Sequence, residues 1–278
     1  MDSSQSCPVS KLERLLLATD RSAFSEGATG EAISFAKKCS SRLYVVSVME
    51  ANPEYETIGA NFFEKEEEEA IAYLKNIEKR ASEEGLFCWT ILRHAQEPYA
   101  PIVDEAKEKK VDMIIVGKHG RRGLSKVLMG SVAAKVIGHA PCKVLVVPKS
   151  ARIEYRSILV GIDGSEHSYR AAAESVEIAK RRGSSLIVVS AIRSESEAAD
   201  AKASVDRVAE MAQKEGVQVE VLTPVGRPHD VIAEIAGGRG VDLIVMGAYG
   251  KTGLRKALMG SSTEKVIGLA KCSVLVSV

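Results

Sequence analysis

The chain has 278 residues, 45% of them hydrophobic and 27% charged, with a formal net charge of +1. That balance supplies no global attraction to nucleic acid or anionic lipid, and no run approaches the ~18 apolar residues of a membrane-spanning helix. Neither nucleic acid nor membrane is expected as a partner, so any anion site has to be built locally. The opening MDSSQSCPVSK has neither the basic region nor the apolar core of a secretory signal. Cys7, Cys39, Cys88, Cys142 and Cys272 are widely spaced with no C-x-x-C pair, which argues against a disulfide framework or a zinc site. A reducing cytoplasm is the compartment these features imply.

After a polar tail over residues 1–10, short apolar runs alternate with helical patterns. The runs RLLLAT, RLYVVSVM, LFCWTILR, VDMIIVG and KVLVVP read as strands, and continuous runs of this kind suit a parallel sheet buried on both faces. Between them, GATGEAISFAKKC and EKEEEEAIAYLKNIEKRASEEG space apolar residues by three and four, as helices do. The acidic run Glu64–Glu69 is read as the solvated first turn of the second of these helices. A polar stretch, PKSARIEYR, follows the last strand, and then the pattern starts again.

The chain is written twice. RLLLATDRS at 14–22 aligns with SILVGIDGS at 157–165, an offset of 143 residues. VDMIIVGKHGRRGLSKVLMGS at 111–131 aligns with VDLIVMGAYGKTGLRKALMGS at 241–261, an offset of 130. The 13 extra residues of the first half fall around ANPEYETIGANFF. Tyr55, Ile58, Phe62 and Phe63 make that insertion apolar enough to be expected over the first pocket or at a subunit contact. Two domains follow, 11–149 and 153–278. Strand–helix alternation in each predicts a doubly wound α/β sheet with right-handed crossovers.

Two features recur at predicted strand ends, where open α/β sheets bind ligands. One is an aspartate closing the first strand, Asp20 and Asp163. The other is G-x2-G-x9-G-S after the fourth strand: Gly117, Gly120, Gly130 and Ser131, then Gly247, Gly250, Gly260 and Ser261. Glycine permits positive φ and lets backbone N–H groups approach an anion. A Gly-Ser pair opening a helix adds unsatisfied N–H donors at the positive end of the dipole, which suits phosphate. Three glycines at fixed offsets arise by chance about once in 3,000 positions; two such sets in register do not. Gly250-Lys251-Thr252 imitates the end of a Walker A loop, but Val245 stands where glycine is required. The histidines are scattered, no Ser-His-Asp set is present, and no general base is evident, so turnover is expected to be slow at most.

The ordered set of first-strand Asp, VD-apolar strand, G-x2-G-x9-G-S and final strand after APC or AKC resembles the universal stress protein family, twice over. The resemblance implies a five-stranded parallel sheet ordered 3-2-1-4-5 in each half, and ATP as ligand, with Mg2+ possible. It implies that Asp20 and Asp163 hold the adenosine end, and that Val48 and Ala191 offer backbone groups to the adenine. The two glycine sets would wrap the triphosphate. In the second half Ser262 and Thr263 follow Ser261, where the first half has Val132 and Ala133, so that site is expected to have two more hydroxyls for phosphate. In the first half Lys118, His119, Arg121, Arg122 and Lys126 either steer phosphate or are surface charges.

Other functions stay open at this point. One is an interaction scaffold with decayed nucleotide sites, and another is a nucleotidyl transferase or phosphatase of similar architecture. A receiver domain is excluded, because the third strands end in Arg93-His94 and Thr223 rather than a phosphoacceptor aspartate. In a 3-2-1-4-5 sheet the fifth strand is an apolar edge that seeks a partner. Strands 143–147 and 273–277 are therefore expected to pair in an intramolecular pseudo-dimer. Further association into a homodimer is left open by the sequence.

Overall fold

Leucine and β-branched residues, in runs too short for helices and buried on both faces, form the central strands of a computed structural model describing residues 7–10, 12–51, 60–120, 129–250 and 259–278. The first half comprises β1 (Arg14–Thr19), α1 (Glu26–Cys39), β2 (Arg42–Glu50), α2 (Ala60–Glu83), β3 (Cys88–Ala95), α3 (Tyr99–Glu108), β4 (Met113–Gly117), α4 (Ser131–His139) and β5 (Lys143–Val147). The second half repeats it as β6 (Ser157–Gly161), α5 (Glu166–Arg182), β7 (Ser185–Val189), α6 (Ala198–Lys214), β8 (Val219–Leu222), α7 (Pro228–Gly238), β9 (Leu243–Gly247), α8 (Ser261–Leu269) and β10 (Ser273–Ser277). The second helix starts at Ala60, so the acidic run begins one turn inside it rather than opening it.

Among the described residues ten strands join one sheet, ordered β3-β2-β1-β4-β5-β10-β9-β6-β7-β8. Each half thus has the expected 3-2-1-4-5 order. Neighbours are parallel except at the joint, where β5 and β10 run antiparallel with Leu145 opposite Leu275. Alternate residues face two cores. Leu15 and Leu17 belong to the core that also takes in α1, α2, α5 and α6, whereas Leu16 belongs to the one with α3, α4, α7 and α8. Among the described residues no helix is long and apolar enough to cross a membrane.

The VD pair before each fourth strand has a structural task. Asp112 accepts from the backbone N–H groups of Glu13 and Arg14 at 2.8 and 2.9 Å. Asp242 does the same for Tyr155 and Arg156 at 2.9 and 2.8 Å. Each aspartate therefore caps the start of the strand beside it. Burial raises the Asp242 carboxyl above its ordinary pKa, against the lowering effect of those backbone bonds.

The connection between halves is packed against the first domain. A Cβ on Gly27 would lie 2.2 Å from Pro148 O, so α1 needs a glycine where the connecting backbone crosses it. Four residues on, Glu31 accepts from Ile153 N–H at 3.0 Å.

One expectation is overturned at the amino terminus. Cys7 and Cys39 form a disulfide across 32 residues of sequence. The segment folds back beneath α1, burying Val9 and Leu12, while Ser41 Oγ donates to Leu12 O. Spacing along the chain could not show this, because tertiary packing of the tail brings the two sulfurs together. Closing a loop of that length is worth roughly 3–4 kcal/mol through the unfolded chain. Cys88, Cys142 and Cys272 remain free.

The joint yields a direct expectation. Expressed alone, residues 1–150 leave β5 as a raw apolar edge and should self-associate in sedimentation experiments. A stable monomer at micromolar concentration would count against the joint as a strong interaction.

Candidate functional site

The strand order reverses at β1, which lies between β2 and β4. Helices leave those strands toward opposite faces, so a crevice opens beyond their carboxyl ends. In the first half it is a cleft of 790 Å³, lined by Asp20, Val48, Gly117, Gly120, Gly130 and Ser131 together. All the site residues expected of that half face one space.

The contacts are close. Asp20 Oδ1 accepts from Ser22 N–H at 3.1 Å and from Ser22 Oγ at 2.7 Å. Its other oxygen lies against Gly120, where a Cβ would come within 3.2 Å. The glycine loop closes on itself, with Gly130 N–H donating to Lys118 O at 2.9 Å. Helix α4 then starts from Gly130 with no side-chain cap, and Ser131 is exposed at its first position. Orphan N–H groups at such a start are donors for an anion.

The second half repeats the arrangement. Asp163 Oδ1 accepts from Ser165 N–H at 2.9 Å, and a Cβ on Gly250 would lie 2.7 Å from Asp163 Oδ2. Gly260 N–H donates to Ala248 O at 2.9 Å, and α8 follows without a side-chain cap. Gly247 lies against α5, where a Cβ would meet the His167 backbone at 2.8 Å. Ala191 is half-buried just beyond β7, Ser261 is exposed and Ser262 half-buried. Among the described residues, no three His, Cys, Asp or Glu side chains are grouped to hold a metal ion.

The universal stress protein family model matches residues 11–148 and again 154–277. The chain belongs to that family. A universal stress protein of Methanocaldococcus jannaschii is 34% identical over 145 residues, covering 49% of this chain and 82% of the relative. One from Synechocystis is 30% identical over 150 residues, covering 48% of this chain and 96% of the relative. A crystal structure of a universal stress protein from Archaeoglobus fulgidus covers 96% of this chain and 98% of its own, with TM-score 0.75 and 22% identity. That likeness shows the shared fold across both halves.

Within this universal stress protein several residues differ from expectation. None of the six motif glycines, all among the described residues, has positive φ; Gly130 sits at −63° and Gly260 at −59°. Their lack of a side chain matters for close approach instead. The left-handed positions are Arg21 (φ 66°) and its counterpart Gly164 (φ 81°). Thr263 is buried, and its hydroxyl donates to Gly247 O at 2.9 Å, fastening α8 to β9 rather than presenting to a ligand. Lys118 is neither a steering charge nor a surface one. It is buried, its Nζ donates to Ala270 O of the second half at 2.8 Å, and burial lowers its pKa. His119 lines the cleft edge-on to Phe24. Arg121, Arg122 and Lys126 lie outside the described residues, as do Tyr55 and Ile58 of the insertion.

Of the far wall of the first cleft, sequence reasoning anticipated only Phe63 of the insertion, expected over that pocket or at a subunit contact. Arg21, with its side chain buried, donates Nη1 to Glu66 O at 3.3 Å and so ties α2 to the end of β1. Phe63 lines the same wall and packs on His94. Glu97 and Lys135 pair at 2.5 Å between the start of α3 and α4. A strained non-glycine opposite Gly164 was the available signal at Arg21; the Glu97–Lys135 pair follows only once the sheet order is known.

The two strand-end glycines separate packing from binding. Gly247→Ala should lower stability by about 1–3 kcal/mol through overpacking on α5, read as a loss in denaturant midpoint. Gly117→Ala, whose Cβ would just reach contact at 3.4 Å, should cost less.

Proposed function

We propose that the chain is a cytoplasmic stress-response regulator that binds ATP at the carboxyl edge of each half. The observation that carries this reading is the repeated meeting of three parts. A first-strand aspartate touches the loop glycine, the loop closes by one backbone bond, and an uncapped helix starts at the Gly-Ser pair.

Each part has a role in holding the nucleotide. Asp20 and Asp163 accept hydrogen bonds from the adenosine hydroxyl groups, and Val48 and Ala191 present backbone groups to the adenine. The open N–H groups at the starts of α4 and α8 receive phosphate, with Ser131, Ser261 and Ser262 adding hydroxyls. Mg2+ would enter with the phosphates, because among the described residues no three His, Cys, Asp or Glu side chains are grouped to hold it alone. The chemistry favours retention over turnover. In this reading Asp20 and Asp163 are committed to the adenosine hydroxyl groups, so neither serves to activate a water.

Gly130→Val and Gly260→Val test the proposal well, because both backbones sit in the extended region that valine prefers. A Cβ at either position meets only ordinary contacts at 3.4 Å or beyond, so the fold should persist. The γ-methyl groups would instead fill the phosphate cradle. Equilibrium dialysis with Mg-ATP should show saturable binding to the parent chain, reduced by each variant and lost in the double variant. Undiminished binding by a well-folded double variant would reject the reading.

A further inference from the structure

A second cavity, of 450 Å³, lies at the amino ends of β1 and β2, away from the nucleotide cleft at their carboxyl ends. Its lining includes both residues of the Cys7–Cys39 disulfide together with Arg14, Arg42 and Arg181. Arg14 and Arg42 open β1 and β2, and Arg181 arrives from the last turn of α5 in the other half. Arg14 gives Nη1 to Lys109 O at 2.9 Å and Arg181 gives Nε to Glu177 at 2.6 Å, so both guanidinium groups are held in position. Arg42 is exposed at the rim. Among the described residues Glu13 is the single carboxylate in the lining, and Glu177 pairs with Arg181 from outside it.

The other cysteines are in a different electrostatic position. Burial pushes the Cys88 and Cys142 thiols up to about 12 and the Cys272 thiol to about 11. Almost no thiolate exists there at neutral pH, and the thiolate is the reacting species. At the arginine-lined corner the cations favour a thiolate, whether it attacks or leaves. The corner is also peculiar to the first half. In the second, Arg182 stands at the position of Cys39 and covers Tyr155 at 4.9 Å.

We propose that Cys7 and Cys39 form a thiol–disulfide exchange site for a small anionic couple of the glutathione class, whose carboxylates the arginines receive. In the oxidising direction one protein thiolate attacks the small disulfide. A mixed disulfide forms and one small thiolate leaves. The second protein thiolate then attacks the protein sulfur of that bond, closing Cys7–Cys39 and expelling the second small thiolate. Two electrons pass from the protein dithiol to the small disulfide, and the protons end on the two released thiols. The reverse sequence opens the bond and frees the segment carrying Val9 and Leu12 from its covalent tie to α1.

The test uses the reduced full-length chain with glutathione disulfide or with cystamine, a cationic disulfide, followed by mass spectrometry and peptide mapping. Each rate is divided by that of free cysteine with the same reagent. The normalised rate at Cys7 and Cys39 should be at least about tenfold higher with glutathione disulfide, the low end of electrostatic steering. Arg42→Glu should shrink or invert that preference. Cys7→Ser should accumulate a mixed disulfide at Cys39 that the parent chain resolves. Equal normalised rates for the two reagents in the parent chain would overturn the proposal, as would adducts on Cys88, Cys142 or Cys272 ahead of Cys7 and Cys39.

Discussion

The pairing of β5 with β10 is the constraint on which the rest of the molecule depends. A five-stranded parallel sheet has two raw edges, and each half on its own would expose a strand of valine and leucine with unpaired backbone groups. Joining those edges makes one sheet of ten strands with Leu145 and Leu275 fully covered. Strand direction reverses at the joint, so the second copy meets the first as a two-fold partner would. The connection has to accommodate that geometry. Its backbone lies across α1, which explains the otherwise unfavourable glycine at position 27 inside a helix, and Glu31 of that helix holds Ile153.

The same joint brings each glycine loop into contact with the other half. Lys118 lies within the first glycine loop and donates to Ala270 O, at the carboxyl end of α8. A helix carboxyl end carries partial negative charge, which offsets part of the cost of burying the ammonium. From the second half, Tyr249 reaches Gly138 O at 3.3 Å, near the end of α4. The loops that frame the two clefts are therefore interface elements as well. The exchange is unequal, since Ala248 stands where Lys118 does and His119 where Tyr249 does. Two copies of one motif have been fitted to different tasks on their shared border.

The features legible in the sequence were those with a period or a repeat. Apolar runs placed the central strands, because burial on both faces leaves few polar positions within them, whereas the outer strands β3 and β8 are part-exposed and carry Arg93 and Glu220. The doubled aspartate and glycine patterns located the carboxyl-edge cleft, because the family's strand order makes the ends of β1 and β4 neighbours. Contacts without periodicity were not legible. The disulfide depends on the tail folding beneath α1, and the Arg21–Glu66 contact depends on where α2 enters after the insertion. Lys118 escaped both readings open for it, a phosphate-steering charge or a surface one, for a related reason: the second half covers it.

The glycines separate two demands that a motif merges. Positive φ is required one residue past the strand-end aspartate, where the second half uses Gly164 and the first uses Arg21. A left-handed arginine costs on the order of 1 kcal/mol relative to glycine, and here its guanidinium anchors α2, an element whose approach the insertion lengthens. The motif glycines answer the other demand, space. Gly120 and Gly250 admit the carboxylates of Asp20 and Asp163, and Gly247 admits the backbone of α5. A side chain at those positions would hold the aspartate or the helix away from the strand ends. The cleft therefore owes its shape to close approach between backbone and neighbouring groups, and its chemistry to the donors that approach leaves uncovered.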